Sequence, residues 1–255
     1  MRILTLAVGM ALAFYSLHVW AYSFSPQLMM LTTNGDTSGG LFFLDNKNAK
    51  PVAIELSVHE HSKDLNGKGI SGNAADQDFI VYPAQLILMP NEQATVQIKW
   101  VGTEPMQHER AFSVRSQQVE IPTPTNQDKG INIGVTVLMN YEARLYVAPP
   151  SAKAALVVES VSERRALPQE PSVSGQVLDV ILHNAGSRHA DLSGLKLQLS
   201  QDSVKCKLGK NCVQLDANTL ANTKSHVLAG QRRHLVIARP SSLSDKPISI
   251  ALIPK

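Results

Sequence analysis

Short runs of apolar and β-branched residues alternate with clusters of Gly, Asn, Asp and Pro along this chain, and no helical period is sustained anywhere. Strands are predicted at Leu28–Leu31, Gly40–Leu44, Val52–Glu60, Phe79–Tyr82, Ala94–Trp100, Ala111–Ile121 and Ile131–Val147. Turn residues separate them at Asn34-Gly35-Asp36, Asp45–Pro51, Asn66–Gly72, Pro90-Asn91 and Pro122–Gly130. About seven strands in about 125 residues is the density of an immunoglobulin-like sandwich. Pro149-Pro150 follows the longest of them, and prolines remove a ladder donor and restrict the preceding residue, so the pair predicts a boundary. A second set follows at Ala155–Ser160, Val177–Asn184, Lys196–Ser200, Gln214–Asp216, Arg233–Ala238 and Ile248–Ile253. The expected fold is all-β, with sandwiches over 22–148 and 149–255.

Within the longest run, Ile131, Ile133, Val135, Val137 and Met139 fall on one side of a strand, because side chains alternate with period two. Two placements satisfy that alternation: a strand in the protein's own core, or one that completes another molecule's sheet. Periodicity does not separate them.

The N-terminus changes the picture. Arg2 precedes the apolar stretch Ile3–Tyr15, and Val19-Trp20-Ala21 offers small residues at the −3 and −1 positions of a signal peptidase site. Residues 1–21 are expected to be a cleaved leader, with the mature protein outside the cytoplasm and not embedded in a membrane. In such an oxidising compartment Cys206 and Cys212, in Cys-Lys-Leu-Gly-Lys-Asn-Cys, are expected to pair as a disulfide.

Composition is 44% hydrophobic and 18% charged, ordinary globular usage. A dispersed net charge of +3 does not suit nucleic acid. No glycine-rich phosphate loop and no Gly-x-Ser-x-Gly nucleophile motif occurs. His59 and His61, two apart on a predicted strand, would share a face, but no third ligand accompanies them. No metal, cofactor or enzymatic activity is expected.

Several segments carry a resemblance in a fixed order. They are Tyr82-Pro83 with Leu88-Met-Pro90-Asn-Glu-Gln-Ala-Thr-Val96, then Glu109-Arg110 through Val119-Glu-Ile-Pro122, and Arg144-Leu-Tyr-Val-Ala-Pro149. Leu182-His-Asn184-Ala-Gly-Ser-Arg-His-Ala-Asp-Leu192 and Leu228-Ala-Gly-Gln231 follow in the second half. Together they resemble the periplasmic chaperones of the chaperone–usher pilus pathway, over nearly all of the mature chain. That resemblance implies two immunoglobulin-like sandwiches in a boomerang arrangement. It implies a protein that holds pilus subunits lacking a strand, lends them its own, and delivers them to an outer-membrane usher. The lent strand would carry Ile131, Ile133, Val135, Val137 and Met139. Arg144 matches the family's basic anchor for the subunit's terminal carboxylate, and Arg115, on the preceding strand, is the candidate second anchor. Arg110 matches a position that joins the domains or closes a strand end. The first strand, Phe24–Leu31, lacks the Arg or Lys of the major branch, and the Pro122–Gly130 connection is short, which together suggest an archaic or alternative branch. The competing expectation is a secreted β-sandwich adhesin or pilus-associated subunit.

Overall fold

The computed structural model describes residues 21–103, 105–121, 137–170, 173–201, 211–220, 226–244 and 246–253. Among these residues there is no α-helix, only single 3-10 turns at Asp36–Ser38 and Ala217–Thr219. The first half holds β1 (Tyr22–Ser25), β2 (Leu28–Thr32), β3 (Gly39–Asn46), β4 (Val52–Lys63), β5 (Gly69–Ala74), β6 (Phe79–Tyr82), β7 (Gln85–Leu88), β8 (Gln93–Trp100), β9 (Arg110–Val119) and β10 (Asn140–Ala148). The second holds β11 (Leu156–Arg165), β12 (Gln176–Asn184), β13 (Ala190–Asp191), β14 (Lys196–Ser200), β15 (Cys212–Asp216), β16 (His226–Val227), β17 (Arg232–Ala238) and β18 (Ser249–Leu252).

Two sheets face each other in the first half, ordered β1-β3-β8-β6 and β2-β10-β9-β4-β5, with β7 also on β4. Strict alternation builds the core between them. Phe42 and Leu44 of β3 and Val96, Ile98 and Trp100 of β8 meet Val58, Phe112, Val114, Leu145 and Val147 of the other sheet. Each such side chain contributes about 1.5–3 kcal/mol by leaving water. Phe79, Trp100 and Phe112 stack edge to face at one end of this core, with ring centroids 4.8–5.8 Å apart. A buried asparagine ties the other end: the Asn46 side-chain amide donates to the carbonyls of Lys50, Leu88 and Met89. The second half repeats the device, with Asn184 donating to the carbonyls of Arg188, Val227 and Leu228. Its own core gathers Leu178, Val180 and Leu182 with Leu197, Leu199, Leu235 and Ile237, from the sheets β11-β12-β17 and β15-β14-β18.

Two features depart from expectation. The long strand begins at Asn140, and Val137–Met139 before it are irregular; Ile131, Ile133 and Val135 lie outside the described residues. The predicted turn at Asn66–Gly72 is partly strand, because β5 starts at Gly69. His59 and His61 stay on one face of β4. The extra residue of the bulge belongs to β5, which steps from Ala74 to Ser71 while β4 steps from His59 to His61, and His61 is covered to 6% exposure beside Gly69 and Arg144. Cys212 is buried at the head of β15, and Cys206 lies outside the described residues.

Candidate functional site

Pro26 decides which edge of the first sandwich is free. Without an N–H it interrupts the first strand, so β1 pairs with β3 in one sheet while β2 crosses to the other. There β2 runs parallel to β10, but only from Leu28 opposite Arg144 to Thr32 opposite Ala148. The last contact upstream is the Arg144 N–H donating to the Gln27 carbonyl, 2.9 Å. Among the described residues no strand covers the same edge of β10 over Asn140–Ala143. An unpaired edge presents backbone donors and acceptors to any extended segment. Immediately before it, Val137 is 69% exposed and Leu138 is 38% exposed. Met139 packs partly on the sandwich's own core. A cavity of about 390 Å³ beside them is lined by Asn48, Pro51, Gln118, Val137 and Met139 among others.

At the lower end of this edge lies a group of cations. Arg144 donates to Glu142, two residues back on the same strand, at 2.7 Å. Burial pushes the Glu142 carboxyl up, but the hydrogen bond from Arg144 and the charges of Arg144 and Arg115 outweigh it, leaving the group below the usual carboxylate range. Gly69 on β5 makes room for the cluster. A side chain there would begin 2.8 Å from the His61 ring and 3.5 Å from the Arg144 guanidinium. Lys63, the Cα partner of Gly69, donates to the His226 carbonyl of the second sandwich, 3.2 Å. Burial, with the charges of Arg233 and Arg144, pushes the Lys63 ammonium down to about 8. Burial, with Arg144 and Lys63, likewise pushes His61 down to about 4. Arg233, 2% exposed, completes the group from β17. No carboxylate of the described residues forms an ion pair with Lys63 or Arg233. A half-buried cation without a counter-ion is costly, and a ligand carboxylate relieves that cost.

The sandwiches touch beside this cluster. Tyr146 of β10 stacks on His189 with centroids 4.4 Å apart and meets the edge of His226. Glu109, 2% exposed, accepts from the His189 backbone and faces its ring nitrogen at 2.8 Å. The Glu109 N–H donates to the Ser187 carbonyl, 2.8 Å.

Of the residues singled out in the sequence, Arg144 lies at the junction of free edge and cleft. Arg115 is on the same sheet face, opposite Glu142, and donates to Ser71 Oγ at 2.5 Å. Arg110 closes a strand end, bridging Glu60 and Asp78 and lying over the Trp100 and Phe112 rings, all within the first sandwich. Sequence reasoning missed Lys63, His61 as its neighbour, and Arg233. Lys63 lies beyond the expected end of its strand at Glu60, and only the tertiary fold brings Arg233 to it.

Among described residues no helix is long and apolar enough to cross a membrane, and no group of three or more metal-ligating side chains occurs. No curated protein sequence matches this chain. Solved structures do match in fold. The class 5 fimbriae chaperone CfaA is 13% identical, with TM-score 0.56 over 92% of this chain and 100% of that one. A chain from a chaperone–tip adhesin complex of CFA/I fimbriae biogenesis is 12% identical, with TM-score 0.57 over 91% and 98%. A chain of the CsuC–CsuE pre-assembly complex, from the archaic Csu pili of Acinetobacter baumannii, is 14% identical, with TM-score 0.51 over 91% and 98%. The model of the PapD N-terminal domain of pili and flagellar-assembly chaperones matches residues 23–153. Spanning half of the sequence and joined to a two-sandwich fold shared over 92% of the chain, that match places the chain in the PapD-type family of pilus-assembly chaperones, whose members act without catalysis.

Proposed function

We propose that this protein is a periplasmic chaperone that receives a strand-deficient pilus subunit on the free edge of β10 and passes it to an outer-membrane usher. The observation that carries the reading is the unpaired edge over Asn140–Ala143, ending at Arg144. A subunit missing a strand exposes backbone groups beside a hydrophobic groove, and an edge strand with projecting aliphatic side chains satisfies both. The donor side chains are Ile131, Ile133, Val135, Val137 and Met139, with Val137 open to solvent and Met139 shared with the chaperone's own core. Each inserted aliphatic group contributes about 1.5–3 kcal/mol, against ordering and association costs that absorb much of the total.

The subunit's terminal carboxylate is held by Arg144, with Lys63 as its second cation. Arg144 offers a planar fork and Lys63 a point charge without a carboxylate partner. Arg115 is the outer member of the group, ahead of Glu142. The supporting complexes are those named for CFA/I and Csu, in which relatives accompany tip adhesin subunits. Residues 1–21 are taken as the cleaved leader, the two domains as 22–148 and 149–255, and Cys206 with Cys212 as a disulfide.

Co-expression with candidate subunits tests the reading. Wild-type protein is expected to co-purify with its subunit as a soluble 1:1 complex, and Arg144→Ala to lose it. Normal capture by Arg144→Ala and by Val137→Asp together would overturn the assignment.

A further inference from the structure

The hairpin joining β4 to β5 reaches from the first sandwich to the second. Its tip is closed by its own bonds. The Asp64 N–H donates to the Lys68 carbonyl at 3.0 Å, and the Gly67 N–H to the Asp64 carbonyl at 2.9 Å. The Asp64 carboxylate accepts from the Lys68 N–H at 2.8 Å. An aspartate at the start of a turn fixes it in this way, so the tip is preformed.

What the tip meets is the outer edge of β17. Amides alternate along an antiparallel strand, and in the register Val180 opposite Leu235 the Leu235 N–H faces β12 while the His234 N–H faces away. The outward N–H donates to the Leu65 carbonyl at 2.7 Å. Beside it the buried Arg233 guanidinium donates to the Asn66 carbonyl at 3.3 Å and to the His226 carbonyl at 3.0 Å. Gly67 is where the two pieces fit most closely. Its φ is +87°, and a Cβ there would lie 1.6 Å from Arg233 Nη1, so both backbone conformation and space require glycine.

We infer that the β4–β5 hairpin tip is a clasp between the two sandwiches, in which the first lends the Leu65 and Asn66 carbonyls to the β17 edge and to Arg233. The clasp fixes how far the second sandwich stands from Lys63 and Arg144, and covers part of an otherwise open sheet edge. It holds in the free protein and does not depend on what occupies the cleft.

Amide hydrogen exchange on the full mature chain tests this without any partner. In the wild type the His234 amide is expected to be protected. Replacing 64–68 by a two-residue Asn-Gly turn should speed His234 exchange about tenfold or more while Leu235 changes less than about twofold. Gly67→Ala, in the intact loop, should act in the same direction, and small-angle scattering should show a larger radius of gyration for both variants. Rapid exchange of His234 in the wild type would overturn the inference. So would unchanged protection in a variant that folds, or equal acceleration of His234 and Leu235, which would mean that β17 itself opens.

Discussion

Lys63 carries its charge half-buried at a boundary, bonded to a backbone carbonyl and not to a carboxylate. With its ammonium pushed down to about 8, the free protein loses this charge as pH rises through that value, whereas an anion seated beside it restores the charge. Subunit affinity is therefore expected to be flat below about pH 8 and to fall by up to about tenfold per pH unit above it. Lys63→Arg should remove the slope, read by titration calorimetry against a subunit. His61 gives the opposite window. Its folded value near 4 lies below the ordinary 6.5, so between those limits the unfolded chain binds more protons than the folded one. Stability is fully present above pH 6.5 and is lost as pH falls toward 4, by about 2 kcal/mol once screening is allowed for. Urea unfolding at pH 7 and pH 4.5 measures it, and His61→Gln should flatten the dependence.

One strand, β10, serves two environments. Its odd-numbered side chains Ala143, Leu145 and Val147 are fully buried, while Val137, six residues before Ala143 and just ahead of the strand, is 69% exposed. Leu145→Ala should cost about 2–5 kcal/mol of stability. Val137→Asp should shift it by less than about 0.5 kcal/mol and yet abolish capture, a split that thermal melting and co-purification resolve together. The alternation itself was legible in the sequence, as were the bounds of β6 and β14, which coincide with expectation. The strand's start was not, because Val137 and Leu145 obey the same period whether a core covers them or not. Other elements left no pattern to read: every residue of β5 is exposed, β1 is only four residues long, and Leu86-Ile87-Leu88 of β7 is a continuous apolar run. The cation cluster was half legible. Arg144 stood out by its motif, but Lys63 and Arg233 acquire meaning only when β4 and β17 meet across the cleft.

At the scale of the molecule, the contacts between the two sandwiches include the Glu109–His189 pair, the Tyr146 stack, the Lys63–His226 bond and the β4–β5 tip. His189→Ala removes the first two at once and leaves a carboxylate at 2% exposure without its ring partner. Calorimetry should then resolve separate melting of the two sandwiches where the wild type melts as one unit. The departure of the first strand at Pro26 sets a limit of another kind. Because β2 resumes at Leu28 and the Gln27 carbonyl already holds Arg144, a visiting chain that zips along β10 runs into a doorstop. On the proposed function, guests are therefore measured by length as well as by shape, and one lengthened by a few residues past its natural end is expected to buckle or stay out.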